Sequence, residues 1–438
     1  MKKIFAIIAI AATMTAVNAQ AQNAKSVAAA KSAVDKAYAA TENAKQNTKA
    51  ATWIKYGQTL LDAFNAPAGN AWVGMSAQEL AVVGGGERPM SEADVTVGGQ
   101  PMHKQVFSNK NFYFNQSGQL ALIEITQPVV ENALDKALDA FAKAGQLDDK
   151  GQKTKEITAG LESVNSKFTD EAYNAYTLGN FGLASELFEK AVKAAGTAPL
   201  SQLDTNSIYN AGLTAWTNSD WNRAKRFFEE GTKYNYYGED GEAYAKLADI
   251  AERLGDTPGS KSLLEEGIQK FPMNQGILIG LINYYLNSGE DTARLFQLFA
   301  DAKRNEPDNA SLYYVEGNAR AKLGQNDEAL AAYDEAIKVN PNYEWGYIGK
   351  GMHLYNRAVE IQDEASMEMD NNKYEALVAE FEKTLKGCIE PFEKAFGMVT
   401  DPETKASIAE YLKNACFRFR NENAEYQAKY DKYSNFSE

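Results

Sequence analysis

The chain has 438 residues, with 45 Lys and Arg against 59 Asp and Glu, for a formal net charge of −14. An acidic excess of that size repels nucleic acid and anionic lipid, and no basic run beyond pairs such as Lys225-Arg226 and Lys303-Arg304 offsets it. Two cysteines and two histidines exclude a disulfide-dense module and a His/Cys metal centre, so neither metal nor cofactor is expected.

At the amino terminus, Met1-Lys2-Lys3 precedes an apolar run from Ile4 to Val17 that closes on Val17-Asn18-Ala19. Basic start, apolar core and small residues are the three parts of a secretory signal peptide, so 1–19 is expected to be removed before Gln20. The run is short for a bilayer span and no later stretch reaches eighteen consecutive apolar residues. The expected product is periplasmic or secreted, without a transmembrane anchor.

Helical periodicity over "AAAKSAVDKAYAATENAKQNTKAATWIKYGQTLLDAF" stops near Asn65 and resumes after Gln127. Between them, "GNAWVGMSAQELAVVGGGERPMSEADVTVGGQ" carries Gly84-Gly85-Gly86 and little sustained period. The following "KQVFSNKNFYFNQSGQLALIEI" alternates in places and is expected to give one or two short strands. Residues 65–127 are therefore read as an irregular insertion between the helices of an early pair, projecting as a loop. Trp72, Phe112, Tyr113 and Phe114 within it are the candidate surface for a sugar ring or another small molecule. The triple glycine lacks the GxxxxGK[ST] arrangement of a phosphate-binding loop.

From residue 168 a pattern recurs. "FTDEAYNAYTLGNFGLASELFEKAVKAAG" has Ala184, Phe188 and Ala191, and "IYNAGLTAWTNSDWNRAKRFFEEGTKY" has Gly212, Trp221, Ala224, Phe228 and Gly231. The segment 241–274 supplies Ala248, Gly255, Ser260, Leu264, Gly267 and Pro272, at the offsets where 310–343 has Gly317, Gly324, Ala329, Tyr333, Ala336 and Pro341. Between those two segments, 276–309 supplies Leu295, Phe299, Ala302 and Pro307. Small residues let two helical backbones approach, aromatics fill the space beside them, and proline stops the second helix.

These residues resemble the tetratricopeptide repeat (TPR), a helix-turn-helix unit of about 34 residues. The resemblance implies an all-α fold, a TPR-like right-handed superhelical solenoid of antiparallel helix pairs. It divides the mature chain into amino-terminal TPR-like helices over 20–164, a central array over 165–343, and a long-helix repeat and cap over 344–438. The amino-terminal region, with Trp53, Tyr56 and Gly57 at repeat-opening positions, resembles exported TPR proteins of Bacteroidetes-type bacteria.

Beyond the array, Trp345 to about Met369 and Lys373 to Phe396 read as two long helices. A third is expected over about 404–433, started by Asp401 and Pro402. An antiparallel return centred near Pro402 sets Cys388 and Cys416 at one height, either joined by a disulfide or packed as two free thiols.

The sequence lacks a GxSxG elbow, an HExxH helix and a dinucleotide fingerprint, and His103 and His353 read as surface and core residues. An enzyme is not expected. Stacked helix pairs present a concave face lined by their first helices, and the repeat register places Tyr209, Trp216, Tyr244, Tyr284, Tyr313, Asn318 and Tyr347 there. The resemblance implies a protein or peptide partner, here another exported or envelope protein, with a glycan at the insertion or a purely structural assembly role as alternatives. Asn318 follows Gly317 as the asparagine of a peptide-carboxylate clamp would. Tyr314 stands where the clamp lysine is expected, so terminal-carboxylate recognition is not assigned.

Overall fold

The computed structural model describes residues 26–84, 86–272 and 274–437, and the expected signal peptide lies outside the described residues. The described residues up to Gly238 form one compact unit and those from Glu239 onward a second. The division falls within the span 165–343 expected as one array.

The first unit contains α1 (Val27–Thr41), α2 (Ala50–Asn65), α3 (Ala77–Val83), β1 (Ser91–Val97), β2 (Gln100–Val106), β3 (Lys110–Phe114) and β4 (Leu120–Ile125). These are followed by α4 (Ala133–Leu147), α5 (Thr154–Thr177), α6 (Phe181–Gly196), α7 (Thr205–Thr217) and α8 (Trp221–Lys233). Helix α2 packs on α4, α5 on α6 and α7 on α8. The pairs are built by aromatic rings set against glycine. A Cβ added at Gly57 would lie 2.8 Å from the Phe141 ring and one at Gly160 only 2.2 Å from it, so Phe141 of α4 fills space left by α2 and α5 together. Phe228 of α8 lies against Gly212 of α7 in the same way.

The turn inside each pair is also written locally. Gly179 (φ 79°) and Ser219 (φ 62°) take the left-handed conformation that reverses the chain. The next residue caps the second helix, Asn180 accepting from the Leu183 N–H and Asp220 from the Arg223 N–H. In the second unit Gly255 and Asp256 repeat this arrangement.

The insertion lies between the paired helices α2 and α4, as expected, but it is not an irregular loop with one or two strands. It forms a four-stranded antiparallel meander in the order β1-β2-β3-β4, with a separate core of Met75, Leu80, Phe107, Phe112, Phe114 and Leu120. The strands missed from sequence are β1 and β2, whose residues are mostly exposed or half-buried. They carry little apolar alternation to read. Their register is set instead by the Gly98-Gly99 turn, both residues at positive φ.

The second unit contains α9 (Glu242–Arg253), α10 (Thr257–Lys270), α11 (Gln275–Ser288), α12 (Thr292–Asn305), α13 (Ala310–Lys322) and α14 (Asn326–Val339). It continues with α15 (Glu344–Met367), α16 (Asn371–Met398), α17 (Pro402–Phe419) and α18 (Ala424–Ser437). Helices α10, α12 and α14 stop just before Pro272, Pro307 and Pro341. Ala329, Ala336, Phe299, Leu264 and Tyr333 are buried, and Tyr333 sits between Gly317 and Gly349, whose added Cβ atoms would lie 2.6 and 2.5 Å from its ring.

At the carboxyl end, Asp401 caps α17 by accepting from the Thr404 N–H at 2.9 Å, as its sequence suggests. The helix expected to run to residue 433 instead breaks after Phe419. Asn423 accepts the Tyr426 N–H at 3.1 Å and starts α18, which packs back on α17. The return sets Tyr433 against Phe396 and lets its hydroxyl donate to Glu393 at 3.1 Å. Cys388 and Cys416 are buried in this core as free thiols, not joined by a disulfide. The Cys388 thiol donates to the Leu385 carbonyl at 3.0 Å.

Candidate functional site

Within the second unit, α9, α10 and α11 enclose a cleft of about 450 Å³. Its floor is Ala245 and Ala248 of α9, Gly280 of α11, and Ser260 and Leu264 of α10, with the exposed Gly276 also lining it. The depth follows from side-chain size. A Cβ at Gly280 would lie 2.6 Å from Leu264 Cδ2, so glycine is what allows α11 to settle onto α10.

The walls are polar and helical spacing aligns them. Asp249 and Glu252 follow Ala245 along one face of α9, while Asn283, Tyr284 and Asn287 follow Gly280 along the facing side of α11. Asp249 accepts from Arg253 Nε at 2.9 and 3.1 Å, and Glu252 receives a long 3.5 Å contact from the Thr257 hydroxyl. Across the cleft, Lys322 Nζ donates to Asn287 Oδ1 at 2.8 Å, and Tyr284 and Lys261 both donate to Glu290, at 3.3 and 3.0 Å. The Lys261 hydrogen bond holds the Glu290 carboxyl below its ordinary range, and the same bond holds the Lys261 ammonium above its own. Amides such as these can pair with a peptide main chain, and the carboxylates can accept a cation.

Two tetratricopeptide-repeat family models match the sequence, one at residues 310–343 and one at 209–274. These two segments of the chain are tetratricopeptide repeats. No curated protein matches the chain. Solved structures similar to it include a TPR repeats protein from Bacteroides fragilis, 18% identical over 57% of this chain and 97% of the other, with a TM-score of 0.27. Another is YrrB, described as a TPR protein with an unusual peptide-binding site, 18% identical over 49% of this chain and 98% of the other, at 0.32. A tetratricopeptide repeat protein from Parabacteroides merdae is 14% identical over 56% of this chain and 98% of the other, at 0.37. All three scores lie below 0.5, and it is the two matched segments that identify the repeats.

In repeat terms, the cleft lies between the first helices of two successive repeats. Of the seven residues the sequence placed on that face, Tyr284 lines it. Tyr244 does not, because it is buried against Gly267 and donates its hydroxyl to Glu266 at 2.7 Å. Tyr313 lies at the edge of its repeat, donating to the Pro307 carbonyl at 3.2 Å. Asn318 is exposed and accepts from the Tyr333 hydroxyl at 2.8 Å, while Tyr347 packs on the carboxyl-terminal core. In the first unit, Trp216 is half-buried and Tyr209 meets Phe228 and Tyr236 edge-on. Asp249, Glu252, Asn283 and Asn287 also line the cleft, and as polar residues on helical faces they carry no aromatic signal in the sequence. Counting by helical turns from the small residues Ala245 and Gly280 finds them.

The small-molecule surface proposed for the insertion fails on burial. Phe112, Tyr113 and Phe114 are 3–4% exposed, and of that set Trp72 alone offers a face, at 41%. Strand β3 turns Phe112 and Phe114 into the sheet's own core, and Tyr113 donates to Glu124 at 2.7 Å. Among the described residues, no helix is long and apolar enough to cross a membrane. The tetratricopeptide repeats at 209–274 and 310–343 support a protein-interaction module.

Proposed function

We propose that this protein is a non-catalytic exported adaptor that holds a segment of a partner protein, in extended form, in the cleft between α9 and α11. The observation that carries this reading is the pairing of a small-residue floor with Asn283 and Asn287 one helical turn apart on one wall. A side-chain amide offers one donor and one acceptor side, which is what an extended main chain presents at each residue. The export part rests on the amino-terminal pattern of Met1 to Ala19, and the partner is accordingly another exported or envelope protein.

The test is site-specific photo-crosslinking in cells. A crosslinking amino acid at Asn283 should give a discrete adduct that the same group at Lys338, on the exposed side of α14, does not. The adduct partner, once identified and purified, should bind the Asn283→Ala/Asn287→Ala protein more weakly in calorimetry. Equal adducts from both positions, or unchanged affinity in that folded variant, would remove the cleft from the function.

A further inference from the structure

We infer that the cleft selects a peptide carrying a lysine or arginine, whose cationic side chain lies toward α9. This deepens the cleft reading above and rests on it. Beside Ser260, the residues Ala245, Ala248, Gly280 and Leu264 give the floor of the cavity of about 450 Å³ an apolar stretch, the surface that the methylene stem of a long basic side chain covers while its head stays polar. Asp249 and Glu252 stand three residues apart on α9, so their carboxylates share the rim at the end of that floor.

The neighbouring charges give the cleft a direction. Arg253 approaches Asp249 from within α9, at 2.9 Å. Among the described residues, Glu252 takes a long 3.5 Å contact from the Thr257 hydroxyl and no ion pair, which leaves carboxylate oxygen for an incoming cation. The two lysines on the opposite side are engaged locally, Lys261 with Glu290 at 3.0 Å and Lys322 with Asn287 at 2.8 Å. Lys322 occupies the amide oxygen of Asn287, so its NH₂ group is left to donate to a peptide carbonyl. The main chain therefore lies along α11 and the basic side chain crosses to α9. An acidic side chain in that place would face two carboxylates.

The experiment is selection of short random peptides, displayed on phage, against the immobilised full chain. One position should be enriched in lysine and arginine by about fivefold, the size of a partly exposed charge pair. Glu252→Gln should abolish that enrichment and Glu252→Lys should replace it with aspartate and glutamate. Glu328→Gln, the same change of net charge at an exposed site on α14, should leave it intact. Selected peptides without a basic preference, or with one that survives Glu252→Gln, overturn the cation inference and leave the cleft reading standing. Acidic peptides enriched by the unmodified chain overturn it in favour of Lys261 and Lys322. Failure to enrich any peptide, with the protein shown to be helical, defeats the cleft reading and this inference with it.

Discussion

Tyr333 shows how much of a repeat depends on one ring. It is 2% exposed, wedged between Gly317 and Gly349, with its hydroxyl on Asn318. Tyr333→Ala should cost about 3–5 kcal/mol of the second unit's stability through the cavity it leaves, whereas Tyr333→Phe should cost about 1 kcal/mol for the lost hydrogen bond. Urea unfolding of the two variants checks the order, and equal losses would show that the hydroxyl, not the ring, dominates. Burial, followed by the neighbouring Cys416, pushes the Cys388 thiol up to about 12, and burial followed by Glu393 pushes Cys416 to about 11. Both should resist a maleimide at pH 8 in the folded protein and react promptly in urea, the thiolate being the nucleophile; fast labelling of the native chain would contradict this. The sign of the linkage is set by the raised values. Unfolded thiols ionise above about pH 9 while folded ones stay protonated, so their contribution to stability declines from there toward pH 11–12. His103 carries its own pH signature on the sheet. The hydrogen bond to Asp94 raises its pKa, so the stabilisation is full below the unfolded value and fades as pH rises through the folded one. Proton NMR should find His103 titrating above an ordinary histidine, and Asp94→Asn should bring it down.

Pairs of helices stand or fall on where a large residue meets a small one. Gly160→Ala would put a Cβ 2.2 Å from the Phe141 ring, whereas Gly196, near the end of α6, has nothing within 4 Å. The first change should cost about 1–3 kcal/mol by overpacking, and adding Phe141→Leu should return part of it. Gly196→Ala should be neutral or slightly stabilising, since alanine loses less backbone entropy than glycine. Thermal unfolding of these variants, with Phe141→Leu alone completing the cycle, tests this, and additive losses in the Gly160/Phe141 pair would refute their contact. The same pairing explains what was legible in sequence. Gly212 with Phe228 and Gly317 with Tyr333 recur at a fixed offset, so the helix pairs could be read. Strands β1 and β2 could not, because exposed residues and a glycine turn define them. The cleft was half legible: Tyr284 lay in the expected register, but a chain of letters does not reveal that Tyr244, one repeat earlier, turns inward onto Gly267.

For the molecule as a whole, charge and export are the properties sequence addresses directly. The net charge of −14 gives a field that favours cationic partners and disfavours nucleic acid, in line with a basic peptide at Glu252. The mature protein recovered from cells should begin at Gln20 or close to it by intact mass, and a recovered chain retaining Met1 would end the export reading. A circular-dichroism spectrum dominated by helix is expected despite the sheet of 91–125, since four short strands contribute little beside the helices of both units.

The sequence by itself determined the repeat family, the helix pairs, their stopping prolines and the place of the insertion. All of these depend on spacing within about 34 residues, over which a backbone period is written directly into side-chain type. Only the tertiary structure decided that β3 hides Phe112, Tyr113 and Phe114, that the last helix breaks after Phe419 to bring Tyr433 onto Glu393, and that the two thiols stay unbonded. It also decided that Asp249, Glu252, Asn283 and Asn287 face one cleft. Each of these turns on which face of an element meets which neighbour, and that is fixed by packing between segments distant in sequence.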